Sequence, residues 1–197
     1  MDSQLTLVTA TPPIYLKFGS DSMINATIFM NSRPAYTLST ALQGSTTDLS
    51  ASKTSELLAR ISRKEILPNT IAFPSVNNGK EIRLNKWMSR QKLSDGLHVH
   101  VIETEIGKCF LRKHSVHRLA LFTEYECENP VAHWDRPNAT SPISLVLYPG
   151  TENFHPQIIA AFTIQELRMR MAEKADSVAL SRAAAQATPI ATLGHRK

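Results

Sequence analysis

The fold of this protein is decided by residues 144–171, which read SLVLYPGTENFHPQIIAAFTIQELRMRM. The stretch opens with a short apolar run typical of a buried strand, and Pro149-Gly150 then predicts a turn. Pro156 stands where a helix can begin, because its missing N–H would be unpaired there anyway. Residues 158–164, IIAAFTI, carry no charge, so the helix has no polar face over two turns. We therefore expect a buried central helix at about 156–171, whose apolar run is too short to span a bilayer.

The residues before this stretch predict a mainly β protein, because short alternating runs are separated by turn residues at hairpin spacing. Residues 56–66, ELLARISRKEI, fit either a helix or a strand, and the β pattern on both sides favours the strand. Asn77-Asn78-Gly79 predicts a hairpin between residues 70–73 and 81–84, and residues 86–94 look like a basic connector. The other expected strands lie at residues 5–9, 14–18, 24–29, 35–39, 46–49, 97–103, 108–112, 118–127, 131–134 and 145–148.

Length and composition predict one domain. The chain has 197 residues, of which 42% are apolar and 20% charged, as in ordinary globular proteins. We expect an N-terminal strand or arm at residues 1–12, the β domain at residues 13–171, and a helical extension that frays into a disordered tail at residues 172–197. Cys109 and Cys127 stand in strand-like runs, and with no secretory signal they predict a reduced, cytoplasmic protein.

The positive charge is concentrated in the middle third of the chain. Residues 59–118 hold 12 Lys and Arg against 5 Asp and Glu, whereas the segments before and after each have a net charge of −1. Such a segment is either a solvated surface or the contact face for an anionic partner. The candidate ligand-binding cations are Arg60, Arg63, Lys64, Lys86, Arg90, Lys92, Lys108, Arg112, Lys113 and Arg118, with Trp87 as an aromatic that can sit at a lipid interface.

Sites for catalysis or metal binding are weakly marked. His98 and His100 share one face of a strand near Glu103, but a zinc site needs at least three converging ligands, so surface histidines are the favoured interpretation. Cys109 is better explained as a core residue than as a nucleophile. The sequence has no Gly-x-Ser-x-Gly motif and no phosphate-binding glycine loop. We expect no cofactor, no metal and no enzymatic activity, with a metal-assisted hydrolase as the least favoured function.

The sequence contains Ser20-Asp21-Ser22, the strand from Pro34 to Ser39, Pro130-Val131-Ala132, and the closing strand, turn and helix that end in Glu166 and Arg168. These structural marks resemble an uncharacterised family of fungal proteins that is abundant in mushroom-forming fungi. The similarity covers residues 13 to 171 and rests on structural rather than catalytic positions. It implies a fold related to the tubby and phospholipid-scramblase proteins, a closed or nearly closed antiparallel β-barrel around one apolar C-terminal helix.

These patterns predict a non-enzymatic binding module. Anionic lipid or a membrane surface is the first expected partner, because the basic segment would be attracted to it and the tubby-like fold is associated with phosphoinositide binding by analogy. The alternative is a protein-interaction or structural module. Nucleic acid is disfavoured, because neither an aromatic platform nor a recognition helix is visible. The protein is expected in the cytoplasm, either free or at the membrane surface.

Overall fold

A computed structural model describes residues 11–64, 66–104, 106–136 and 141–187. The chain divides into two compact units between Thr163 and Ile164. The described part of the first unit contains a large β-sheet, the short helix α1 at Leu84–Trp87 and the beginning of a long helix, α2, at His155–Ala187. The second unit holds the remainder of α2. Short 3-10 turns at Asn77–Gly79 and Glu152–Phe154 complete the described elements.

The described residues form thirteen strands of one sheet. In chain order they are β1 Ile14–Phe18, β2 Ala26–Met30, β3 Arg33–Thr40, β4 Thr46–Ala51, β5 Leu57–Ser62, β6 Thr70–Ala72, β7 Ile82–Arg83, β8 Met88–Lys92, β9 His98–Thr104, β10 Gly107–His114, β11 Arg118–Thr123, β12 Ala132–Asp135 and β13 Ser144–Leu147.

All ladders of the sheet are antiparallel, and with one exception they join strands that follow each other in the chain. The exception is the ladder between β1 and β13, which pairs Ile14 with Leu147 and Leu16 with Leu145. The sheet order runs from β7 to β1, then from β13 to β8. The expected mainly antiparallel β architecture with a C-terminal helix is therefore confirmed.

The sheet is not closed. Its two edges are β7 and β8, and no ladder joins them within the described residues. The expectation of a closed or nearly closed barrel is therefore met only in part, because the antiparallel sheet is present but does not close. The physical reason is strand direction, because β7 and β8 run the same way in this order and a parallel pair needs a crossover of a dozen or more residues, whereas only the helical turn at residues 84–87 lies between them. This turn, α1, directly connects the two edges.

The start of α2 is buried, as its apolar sequence predicts. Ile158, Ile159 and Phe162 are all 0% exposed. The Phe162 ring packs edge-on against Trp134 at a centroid distance of 5.2 Å, and Trp134 packs in the same manner against Phe18 at 5.2 Å. One aromatic column thus joins α2 to β12 and β1. The free energy gained by burying these side chains, about 1.5–3 kcal/mol each, explains why the helix is held by the sheet.

Two predictions about strands are confirmed with modified boundaries. The ambiguous segment at residues 56–66 forms β5, a strand paired on both sides. The predicted hairpin at residues 70–84 is formed by β6 and β7, but its connection is longer than a two-residue turn. Asn78 adopts the left-handed conformation there, with φ 54°, which asparagine tolerates better than most residues.

Other local expectations were wrong. The basic connector at residues 86–94 consists of the end of α1 and the edge strand β8. The strand predicted at residues 118–127 ends at Thr123, and both of its faces are buried, because Ala120 and Phe122 are covered as well as Leu119 and Leu121. α2 runs to Ala187, with the helical extension that the sequence predicts beyond residue 171. The strand expected at residues 5–9 and the tail after residue 187 lie outside the described residues.

Candidate functional site

Three of the predicted cations are engaged in contacts at β4, β5 and the segments that follow them. Arg60 donates two hydrogen bonds of 2.8 Å to the Asp48 carboxylate. Arg63 donates through Nη1 to the Thr47 hydroxyl at 2.8 Å, and its partial burial lowers the pKa of its guanidinium. Lys64 forms an ion pair with Glu81 at 3.4 Å. Through these contacts the three side chains link neighbouring segments of the sheet.

A second group lies around the β10–β11 hairpin. The Arg112 guanidinium stacks 4.3 Å from the centroid of the Phe122 ring, a cation–π contact, and donates to the Cys127 carbonyl at 3.1 Å. Lys113 is exposed. Arg118 is also exposed and begins β11 in a left-handed conformation, with φ 59°. Arg112 therefore covers the outer face of the sheet, while Lys113 and Arg118 mark the end of the hairpin.

The predicted cations on β8 face the two histidines considered as metal ligands. Arg90 pairs with His100 and Lys92 with His98 in the register of β8 and β9. Because successive side chains of a strand point to opposite faces, Arg90 and Lys92 lie on the other side of β8 from Ser89 and Gln91. No group of three or more His, Cys, Asp or Glu side chains in the described part of the chain is placed to hold a metal ion.

The remaining predicted residues meet in a groove between the two edges of the sheet. The groove has a volume of about 710 Å³ and is bordered by β7, α1, β8, β9 and the beginning of β10. Its lining includes Lys86, Trp87 and Lys108 from the predicted set. Lys80 and Arg83 also line it, and the sequence interpretation missed both. The sequence did contain a signal for them, because a cation recurs every three or four residues from Lys80 to Arg90.

The groove has a surplus of positive charge. Lys80, Arg83, Lys86 and Lys108 face two carboxylates, Glu81 and Glu103. Within the described residues, none of these four cations forms an ion pair. An unpaired cluster of cations at a concave surface attracts anions, because their fields add where water is partly excluded.

Glu81, one of the two carboxylates, also contacts two residues that do not line the groove. The Thr70 hydroxyl donates a 2.9 Å hydrogen bond to Glu81, and Lys64 forms its ion pair with the same oxygen. The Thr70 hydrogen bond and then the Lys64 charge lower the pKa of Glu81. Lys64 therefore shares the charge of Glu81 with the groove, while Glu103 stands opposite Lys108 in the register of β9 and β10. Four cations against two carboxylates leave the lining with a net positive charge.

Packing against the core fixes α1 in the wall of the groove. Leu84 is 5% exposed and Met88 is 2% exposed, so both ends of the helical turn are anchored in the core. The Leu84 N–H donates to the Asn69 carbonyl at 2.8 Å. Trp87 is half-buried and packs against Phe73 at a centroid distance of 5.3 Å. The turn therefore holds Lys86 and the indole of Trp87 at the groove wall in a defined orientation.

A stack of three imidazoles lies on the outer face of the sheet. The centroids of His114 and His117 are 5.0 Å apart, and those of His117 and His133 are 3.9 Å apart. His114 Nδ1 accepts hydrogen bonds from the N–H groups of Val116 and His117, both at 3.3 Å. Burial, followed by the charge of His117, lowers the pKa of His133 to about 4. We call these three residues the histidine stack, which the sequence interpretation did not predict.

The fold and the groove together define a class of protein, a mainly antiparallel β protein that buries the start of a C-terminal helix and has a basic groove between its sheet edges. The chain belongs to the DUF6593 family, a family of unknown function, which matches residues 21–171. The expected membership of an uncharacterised family is thus confirmed.

One solved structure is similar to this chain. It is an X-ray structure of a protein from Arabidopsis thaliana, with a TM-score of 0.48 and 12% sequence identity. The similarity covers 80% of this chain and 91% of that one. No curated protein matches the sequence significantly. Among the described residues, no helix combines the length and apolarity that a membrane crossing requires.

Proposed function

We propose that this protein is a non-enzymatic module that binds anionic lipid at a membrane surface, and that the groove between β7 and β8 receives the phosphate-bearing headgroup. The observation that carries the proposal is the surplus of cations in the groove, where Lys80, Arg83, Lys86 and Lys108 have no ion-pair partner among the described residues. Arginine and lysine are the side chains that bind phosphate oxygens.

The geometry of the groove suits a headgroup. A volume of about 710 Å³ lies within the range of small-ligand sites. The half-buried Trp87 gives a rigid apolar wall, while Ser89 and Gln91 add neutral hydrogen-bonding groups to the lining. Each Lys or Arg near an anionic surface contributes about 1 kcal/mol of attraction. The lining therefore combines charge with fixed hydrogen-bonding groups, as a polar ligand requires.

The proposal also includes three expectations from the sequence about fold relationship, family origin and location. They are a tubby or scramblase-like arrangement of the sheet, a fungal family, and a cytoplasmic location at the membrane periphery. The support for them is the set of structural marks around Asp21, Pro34, Val131 and Glu166, together with the analogy to phosphoinositide-binding folds.

A protein-interaction module is the second candidate function, and one observation favours it. The second unit has an exposed helical face over residues 171–182, where Met171 and Val178 are exposed and lie seven residues apart. Residues at this spacing share one side of a helix and can contact a partner helix. A pull-down that retains a partner with the full chain, and loses it with Met171→Ser and Val178→Ser, would favour this function.

Co-sedimentation with vesicles tests the lipid proposal. The wild-type chain is expected to bind phosphatidylcholine vesicles that contain phosphatidylserine and a phosphoinositide. The groove variant K86Q/K108Q should bind about thirtyfold more weakly, because two cations contribute about 1 kcal/mol each. The control R33Q/K53Q removes the same charge at exposed positions outside the groove and should bind nearly as well as the wild type.

A soluble probe separates a lipid headgroup from a free phosphate compound. Calorimetric titration with inositol trisphosphate should show binding by the wild type and not by K86Q/K108Q. If the groove variant and the R33Q/K53Q control lose equal binding affinity, the attraction is nonspecific and the groove is not the binding site. Absence of binding to both vesicles and inositol trisphosphate at physiological salt would reject the function.

A further inference from the structure

We propose that one end of the β-sheet inserts exposed aliphatic side chains into the lipid surface, so that the protein docks with this end toward the membrane. We call this end the apolar rim and define it by Leu42, Ile66, Leu67, Leu97 and Val116. The inference rests on the proposed function for its choice of a lipid surface as partner, and it adds the docking element and the orientation.

The topology places the rim residues together at one end of the strands. In an antiparallel sheet, alternate connections lie at the same end. The connections β1–β2, β3–β4, β5–β6, β8–β9, β10–β11 and β12–β13 therefore share one end. Leu42 lies in the β3–β4 connection, and Ile66 and Leu67 lie in the β5–β6 connection. Leu97 lies in the β8–β9 connection and Val116 in the β10–β11 connection.

The exposure of these side chains is unusually high for aliphatic residues. Leu42 is fully exposed, Ile66 is 96% exposed and Leu67 is 62% exposed. Ile66 and Leu67 are the only two adjacent large apolar side chains that are both exposed in the described part of the chain. A single exposed leucine needs no explanation, but a concentration at one end marks an interaction surface.

Hydrogen bonds hold the two most apolar connections beside each other. The Arg63 guanidinium donates to the Gly44 carbonyl at 3.1 Å, and the Arg63 N–H donates to the Ser45 carbonyl at 2.6 Å. Arg63 precedes Ile66, while Gly44 follows Leu42, so these bonds hold the two loops side by side. Leu42, Ile66 and Leu67 are thus exposed on two neighbouring loops.

One of these loops adjoins the proposed headgroup groove. Asn69 ends the loop that carries Ile66 and Leu67, and its carbonyl accepts from the N–H of Leu84, the first residue of α1. Lys64 at the start of this loop pairs with Glu81 in the groove lining. A lipid whose headgroup lies in the groove would therefore have its acyl chains close to the aliphatic tips.

Charge also distinguishes the two ends of the strands. Lys92, Lys113 and Arg118 lie at the strand termini of the apolar rim. The opposite end carries an acidic connection between β11 and β12 with Glu124, Glu126 and Glu128. Aliphatic tips next to cations match an anionic bilayer, where apolar groups enter the interface and basic groups contact headgroups. An anionic surface would repel this acidic connection, which favours the orientation that the apolar residues define.

Two matched triple variants of the full-length chain test the inference. The rim variant L42S/I66S/L67S should bind anionic vesicles roughly tenfold more weakly than the wild type, because each aliphatic side chain contributes a fraction of a kcal/mol at an interface. It should bind inositol trisphosphate as the wild type does. The control V76S/I106S/Y125S removes exposed apolar side chains at the opposite end and should leave both measurements unchanged.

The outcomes separate the inference from the proposed function. If the rim variant binds vesicles as well as the wild type does, or the control variant loses as much, the apolar rim is overturned. If the wild type binds inositol trisphosphate but not vesicles, the rim is overturned and the anion site stands. A wild type that binds neither probe overturns both. Circular dichroism of each variant verifies that it is folded, as its exposed positions lead us to expect.

Discussion

At the scale of the residue, the histidine stack shows how burial changes the chemistry of a side chain. His133 is 7% exposed, and its Nδ1 has no hydrogen-bond partner in the described residues. The groups that surround it are His114 and His117 from the β10–β11 hairpin, with Asp135 on its own strand. Only Asp135 favours the protonated form, and its effect is smaller than that of burial. Tyr148 faces the same imidazole at 5.7 Å.

This arrangement predicts a loss of stability in acid. The pKa of His133 falls from 6.5 to about 4 on folding, so the unfolded chain binds the proton more readily between these values. The free energy of unfolding therefore falls as the pH drops below 6.5, by about 2 kcal/mol between pH 7 and pH 5 from this group. Urea unfolding at the two pH values measures the loss.

Two variants control for the other groups that titrate in acid. His133→Gln should be less acid-sensitive than the wild type by about the same 2 kcal/mol. His98→Gln, at an exposed position, should retain the acid sensitivity of the wild type. Identical losses in all three proteins would show that the acid sensitivity arises elsewhere.

The burial or pairing of a single residue could be predicted where its sequence neighbours determine it. It could not be predicted where a residue on another strand determines it. The burial of Phe162 follows from its neighbours in the sequence alone. The burial of Phe122 does not, because alternation within β11 predicts that one face is exposed, whereas Arg112 from the paired strand β10 covers the ring. Likewise, the ion pair of Lys64 with Glu81 joins residues 17 positions apart, so the basic segment did not reveal which cations are engaged.

At the scale of the element, α2 has a buried and an exposed part within one continuous helix. Phe162 is 0% exposed, whereas Leu180 is 72% exposed. Replacing Phe162 with alanine should lower the free energy of unfolding by about 3–5 kcal/mol, because a cavity remains beside Trp134. Chemical denaturation followed by the fluorescence of the tryptophans measures the change.

The exposed half of the helix supplies the matched control. Leu180→Ala removes a large apolar side chain from the same element and should change the free energy of unfolding by no more than about 0.5 kcal/mol. Comparable effects of the two substitutions would contradict the burial that explains the fold.

Most elements could be predicted from the sequence because their signals are local. The apolar run of α2 and the alternation of strands such as β1, β3 and β9 depend on residues only a few positions apart. α1 and β8 were missed, because a single helical turn and a polar edge strand have almost no periodicity. The run MSRQK of β8 contains two cations, which is typical of an edge strand protected from pairing with another chain.

At the scale of the whole molecule, the proposed membrane contact combines charge and apolar area, and salt separates the two. Raising the NaCl concentration from 0.1 to 1 M shortens the Debye length from about 10 to 3 Å. We expect vesicle binding to fall steeply but not to zero, with the residual binding due to the aliphatic tips. In the L42S/I66S/L67S variant, which keeps Leu97 and Val116, the residual binding should be clearly weaker. Residual binding of equal strength in this variant would contradict an apolar contribution.

The groove itself could not be predicted, because it depends on how the sheet ends. Its lining comes from residues 80–91 and 101–108, and the proximity of these two segments follows only from the order of thirteen described strands. The sequence showed a concentration of cations in the correct third of the chain. Which of them share a concave surface was decided by strand direction, by alternation along β8, and by the ion pairs that engage Arg60 and Lys64.

The ladder between β1 and β13 has a consequence for synthesis on the ribosome. Ile14 pairs with Leu147, so β1 emerges about 130 residues before its neighbour on that side. At about 5–20 residues per second, translation leaves that side of β1 without its partner for roughly 7–26 seconds. The N-terminal meander must remain unaggregated during this interval, and the nascent chain is therefore expected to depend on chaperones more than its short hairpins alone would require.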